Sequence, residues 1–133
     1  MFPRAAVVIV IALLVSIATI AVVAAVRFKH ADDIAKCERV ATDSGFFRTQ
    51  LETYRTMNGS FPTTEQGLRA LVDKPTSSPV PARWQQLSLD IPPDPWNTPY
   101  IYRCPGIRHR DAYDLFSAGP DRKPDTSDDV WRE

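Results

Sequence analysis

Between Asp114 and Asp129, five of sixteen residues are aspartate: Asp114, Asp121, Asp125, Asp128 and Asp129. A folded loop that gathers several carboxylates needs a cation to offset their repulsion. Hard oxygen donors with no sulfur or imidazole among them point to calcium rather than zinc. The competing account is a solvated acidic tail. A second constellation is Cys104, His109 and Asp111, which could supply a nucleophile, a base and an orienting acid. Cys104 ends an expected strand, His109 lies in an arginine-flanked turn, and nothing forms an oxyanion site, so no enzymatic activity is expected. Cys37 and Cys104 are the only cysteines. In an exported domain they would form one disulfide or remain two buried thiols, and the residues leave both open.

The charge distribution narrows the partners. The 133 residues carry 16 basic and 16 acidic side chains, so there is no basic excess to suggest nucleic acid. From Asp111 to the end, seven acids face three bases, which makes the acidic end local. Trp84, Trp96, Trp131 and the tyrosines sit at strand and turn positions and read as core rather than as a stacking platform. Ala5 to Val26 is a run of 22 residues without a charge, with only Ser16 and Thr19 polar. As a helix it is roughly 33 Å long, against a hydrocarbon core of about 30 Å. It is longer than a signal-peptide core and no Ala-x-Ala site closes it, so an uncleaved membrane helix is expected. Arg27, Lys29, Lys36 and Arg39 follow the segment and only Arg4 precedes it, a count that by itself favours a cytoplasmic C-terminal part.

These groups must be positioned by two different halves of the chain. No proline occurs between Pro3 and Pro62, and eleven lie from Pro62 onward. In the first half, Ile34, Cys37, Ala41, Ser44, Phe47, Leu51 and Tyr54 recur at steps of three or four and form one apolar stripe on a helix. Gly45 weakens it by about 1 kcal/mol. Asn58-Gly59 suits a left-handed end to the helix. In the second half, Thr63-Thr64-Glu65-Gln66 fits a capping box before a short helix that buries Leu68, Leu71 and Val72. Lys74 to Pro81 reads as a loop, Trp84 to Leu89 as a helical turn, and Asp94-Pro95-Trp96-Asn97 as turn chemistry. Tyr100 to Cys104 and Ala112 to Ser117 read as strands around a Pro105-Gly106 turn. Two or three short antiparallel strands would cover the amphipathic half of the helix.

Four blocks of residues resemble the G-type pseudopilins, the major pseudopilins of type II secretion. The first is Tyr54-Arg55-x-x-Asn58-Gly59-x-Phe61-Pro62-Thr63-Thr64-x-x-Gly67-Leu68-x-Ala70-Leu71. Pro75, a spacer and Trp84 form the second. The third is Pro93-Asp94-Pro95-Trp96-Asn97-x-Pro99-Tyr100-x-Tyr102. The fourth is Tyr113-Asp114-Leu115-Phe116-Ser117-Ala118-Gly119-x-Asp121, followed by Asp128-Asp129-Val130. They occur in the family's order across roughly residues 50–131.

The resemblance implies an α+β fold in which a long N-terminal helix, transmembrane in its first half, packs on a small antiparallel sheet with a C-terminal calcium loop. Its parts would be an N-terminal end (1–4), a transmembrane helix (5–26), an amphipathic continuation (27–58) and a pseudopilin-like globular region (59–133). It implies a structural subunit of a secretion pseudopilus that supports protein export, anchored in the inner membrane by one span with its C-terminal domain in the periplasm. Its partners would be the membrane, further copies of itself, other pseudopilins and inner-membrane components of the secretion machine, without nucleic acid. Asp121 and Asp129 match the family's calcium loop best, with Asp128 and Asp125 next and the carbonyls of Ser117 and Ala118 completing the oxygens. Asp114, in the preceding strand, is expected to bond locally. The family carries a leader ending in glycine, then phenylalanine and a nearby glutamate that aids assembly. Met1-Phe2-Pro3-Arg4-Ala5-Ala6 offers only Phe2 as a match. That departure keeps a second expectation open, a membrane-tethered periplasmic interaction module that does not enter a filament.

Overall fold

The computed structural model describes residues 3–131, so Phe2 lies outside the described residues. Among these residues the elements are helix α1 (Arg4–Asn58), a 3-10 turn (Leu68–Leu71), and strands β1 (Ile101–Arg103), β2 (Asp114–Ser117) and β3 (Val130–Trp131). The chain divides into two compact units, residues 1–36 and 37–133.

The first unit is helical from residue 4 onward. Val8, Leu14, Ile17 and Ile20 are all more than half exposed, as apolar side chains with no protein around them must be. The two polar side chains of the run turn back on the helix. Ser16 Oγ donates to the Ala12 carbonyl at 2.9 Å and Thr19 Oγ1 to the Ser16 carbonyl at 2.8 Å. Neither hydroxyl is then left for an apolar surrounding to desolvate without a partner. By length and composition this helix can cross a membrane. Lys36 pairs with Asp32 at 2.6 Å, one helical turn away.

In the second unit, the buried stripe of α1 is Val40, Ser44, Phe47, Leu51 and Tyr54, with Cys37 half-buried. Val40 takes the place expected for Ala41, which is exposed. The steps from Cys37 are then three, four, three, four and three, a narrower seam than a broad amphipathic face. Full burial of each large side chain is worth about 1.5–3 kcal/mol. The helix ends as its residues dictate. Gly59, at φ +85°, donates its N–H to the Arg55 carbonyl at 2.7 Å, the single bond of a left-handed cap. Asn58 Oδ1 accepts the Arg83 N–H at 3.1 Å, which ties the helix end to the following loop.

The capping box forms with both reciprocal bonds: Gln66 N–H to Thr63 Oγ1 at 3.2 Å, and Thr63 N–H to Gln66 Oε1 at 3.1 Å. The segment behind it is a turn and the 3-10 helix rather than an α-helix, with Leu68, Leu71 and Val72 buried as expected. The spare Gln66 amide holds the proline-rich loop by the Ser77 and Pro79 carbonyls, at 2.9 and 3.1 Å. Residues 84–89 form no helical turn. The N–H groups of Leu87 and Ser88 both go to the Leu71 carbonyl, at 2.8 and 3.0 Å, and Trp84 Nε1 donates to the Ala70 carbonyl at 2.8 Å. These longer-range partners replace the local bonds a helical turn would need.

The sheet is antiparallel in the order β1-β2-β3, with Tyr102 opposite Leu115 and Phe116 opposite both Ile101 and Trp131. Side chains alternate faces along a strand. Tyr102 and Leu115 therefore share one face and join the core with Val40, Phe47, Leu51 and Tyr54. Arg103, Asp114, Phe116 and Trp131 share the other. Tyr100 packs edge-on to Phe47 and donates its hydroxyl to Asp43 at 2.7 Å. Burial, then the Asp43 carboxylate, push that phenol far above its ordinary pKa.

Candidate functional site

The acidic segment leaves β2 at Ser117 and returns at β3, whose Trp131 shares the Phe116 face of the sheet. Phe116 is fully buried there, with Trp131 stacked on it at 4.0 Å and 17°. The two ends of the loop touch. A Cβ on Gly119 would lie 2.0 Å from the Asp128 carbonyl oxygen, and Gly119 has φ +67°, so only glycine fits this approach.

Each expected ligand has a definite place. Ser117 is buried, and its hydroxyl donates to Asp94 in a short contact while accepting the Gly119 N–H at 3.1 Å. Ala118 is buried beside it. Asp121 Oδ1 accepts the Lys123 N–H at 2.9 Å. Asp129 Oδ2 accepts the Asp125 N–H at 2.9 Å, while its Oδ1 is buried without a hydrogen-bond partner. Asp128 donates its N–H to Thr126 Oγ1 at 3.3 Å. Asp125 is turned to β1, where both its oxygens meet the Arg103 guanidinium at 2.7 and 2.8 Å. That guanidinium holds the carboxyl below its ordinary pKa. Among the described residues no three carboxylate, imidazole or thiol groups converge as a ready metal cluster. The buried, unpartnered Asp129 oxygen and the Gly119–Asp128 contact nevertheless fit a hard cation where the loop closes.

Two other aspartates each accept several hydrogen bonds. Asp94 is 2% exposed. It accepts the N–H groups of Trp96 and Thr98 at 3.0 and 2.8 Å and the Thr98 hydroxyl at 2.8 Å, besides Ser117. It thus fastens the 94–98 turn to the end of β2. The turn chemistry of Asp94-Pro95-Trp96-Asn97 signalled the local bonds but not the link to Ser117. Asp114 is fully buried and does bond locally. It accepts the N–H groups of Ile107, Arg108 and His109 at 2.6, 3.0 and 3.1 Å, and His109 Nδ1 lies 2.9 Å away. Burial works against its charge, but the bonds from Arg108, His109 and Ile107 outweigh it and lower its pKa.

The remaining chemical candidates have different partners. His109 is directed to Asp114, whereas Cys104 Sγ contacts the Ala112 carbonyl at 3.7 Å. Cys37 and Cys104 are both half-buried, and no disulfide joins them in this structure. Glu52 pairs with Arg55 at 2.8 Å.

Residues 27–132 match the family described as Type II secretion system (T2SS), protein G. This chain belongs to that family. A type II secretion system core protein G from Dickeya chrysanthemi is 43% identical over 95 residues, which cover 70% of this chain and 61% of the relative. The protein of that name from Pseudomonas aeruginosa is 39% identical over 98 residues, covering 72% of this chain and 68% of the relative. The crystal structure of the major pseudopilin from enterohaemorrhagic Escherichia coli superposes with a TM-score of 0.71 at 41% identity, covering 76% of this chain and 85% of that one. The long helix on a three-stranded antiparallel sheet is thus a pseudopilin fold. The family is structural rather than enzymatic.

The Asp114 bonds give this protein a testable acid dependence. The folded pKa lies below the unfolded value of about 3.9. Asp114 therefore stabilises fully above about pH 4, and that contribution is lost as pH falls through the folded value. Asp114→Asn should cost about 1–3 kcal/mol at neutral pH, because a buried acceptor is replaced in part by a donor. Thermal unfolding of the full chain in detergent should show a smaller stability loss on acidification for the variant than for the wild type. Equal acid dependence would contradict the role given to Asp114.

Proposed function

We propose that this protein is a structural subunit of a type II secretion pseudopilus. The observation that carries this reading is the superposition on the major pseudopilin at 41% identity over most of both chains. The helix of residues 5–26 would anchor the subunit in the inner membrane and pack with its counterparts in the filament. An all-apolar surface with internally bonded Ser16 and Thr19 suits both surroundings. The globular unit would stand in the periplasm, where other pseudopilins and inner-membrane components of the secretion machine can reach it.

Calcium belongs to the same proposal. Asp129, Asp121 and Asp128, with the Ser117 and Ala118 carbonyls, would hold it at the closure of the loop. Its charge would offset the carboxylates there and supply the buried Asp129 oxygen with a partner. Asp125 is left to Arg103.

Two measurements test the proposal. A reporter enzyme active only in the periplasm, fused after Glu133, should be active; activity of a cytoplasmic reporter alone would contradict the subunit reading. Calcium at about 100 times its Kd should stabilise the full chain by about 2.7 kcal/mol. Thermal unfolding in detergent should therefore show a rise with calcium that magnesium does not reproduce and that Asp121→Ala removes. Equal melting temperatures with calcium, magnesium and chelator would overturn the calcium assignment and leave the fold untouched.

A further inference from the structure

The four aspartates of the segment from Asp121 to Asp129 outnumber its two bases, Arg122 and Lys123, by two. One of these surplus charges is met from outside the loop. Arg103, at the end of β1, places Nη1 2.7 Å from Asp125 Oδ1 and Nη2 2.8 Å from Oδ2. This is the two-pronged pairing that a planar guanidinium makes with a carboxylate and that an ammonium cannot. The same guanidinium lies 5.3 Å from the centre of the Phe116 ring. Phe116 stacks on Trp131, and Trp131 in turn has the Arg108 guanidinium 4.1 Å from its ring centre. Arg103, Phe116, Trp131 and Arg108 thus form a continuous ladder on the Phe116 face of the sheet.

The position of Asp125 turns this pair into a clasp. Its backbone stands at φ +68° and its N–H donates to Asp129 Oδ2 at 2.9 Å. Asp129 immediately precedes β3. A side-chain pair and one backbone bond therefore connect β1 through Asp125 to the entrance of β3. The Arg103 side chain is 21% exposed and that of Asp125 61%, so the pair lies at the surface with the arginine stem covered. A fixed positive group of this kind is covalently part of the domain and no chelator removes it.

We propose that Arg103 is a built-in cation that holds the acidic loop against β1 when no divalent ion is bound. It acts on the half of the loop around Asp125, whereas the proposed calcium position lies where Gly119 meets Asp128. The clasp stands on its own geometry and does not depend on the calcium assignment.

Hydrogen exchange on the full chain in detergent micelles, read by mass spectrometry in peptides covering residues 119–130, tests this with chelator and with millimolar calcium. With chelator, the wild-type loop should stay protected. Arg103→Gln and Asp125→Asn should each raise its exchange severalfold, while peptides from residues 40–58 remain unchanged, which marks local opening rather than unfolding. Asparagine tolerates a positive φ, so Asp125→Asn removes the charge without straining the backbone. Arg103→Lys, which keeps the charge and loses the fork, should fall between. Wild-type exchange in chelator as fast as in both variants would overturn the clasp. Recovery of both variants in calcium would support a separate ion site, and failure to recover would overturn the calcium assignment alone.

Discussion

A sheet of strands three, four and two residues long has two faces and almost no interior of its own. The whole globular unit depends on covering both. On one face, Val40, Phe47, Leu51 and Tyr54 of α1 supply the large side chains against which Tyr102 and Leu115 pack. On the other face Trp131 stacks on the fully buried Phe116, and the Arg103 guanidinium lies 5.3 Å from its ring centre. Asp125 of the acidic loop is tied to this face by its pair with Arg103.

Buried carboxylates hold the connections that strands this short cannot. Asp94 gathers the 94–98 turn and Ser117, and Asp114 gathers three successive backbone N–H groups of the 107–109 segment. Each substitutes a compact set of charge-assisted bonds for secondary structure. Removing either would leave several buried donors without acceptors, a larger penalty than the loss of one surface pair.

Much of this was readable in the sequence, and what was not has definite causes. The helix end at Asn58-Gly59, the capping box and both longer strands are encoded by neighbouring residues, and they appear where those residues place them. The stripe was read one position off at Ala41, because three-or-four spacing allows both Val40 and Ala41 and only the partner surface decides. The helical turn at residues 84–89 lost to bonds from Leu71 and Ala70, which are distant in sequence. The aspartate cluster signalled a loop that needs positive charge. It did not show that Arg103, on a different element, would claim Asp125, since strand register sets that pairing. Four blocks of the pseudopilin pattern did identify the family, because spacing across a long segment is more specific than any one turn.

In the proposed role, the globular unit would lie outside the membrane and the apolar helix of residues 5–26 would pack with its counterparts. Cross-linking within membranes tests this most directly. A photo-crosslinking residue in place of Leu14, which is 60% exposed in the subunit alone, should give a ladder of dimers and larger multimers in cells that carry the secretion machine. Cross-linked species confined to the monomer would contradict a filament subunit.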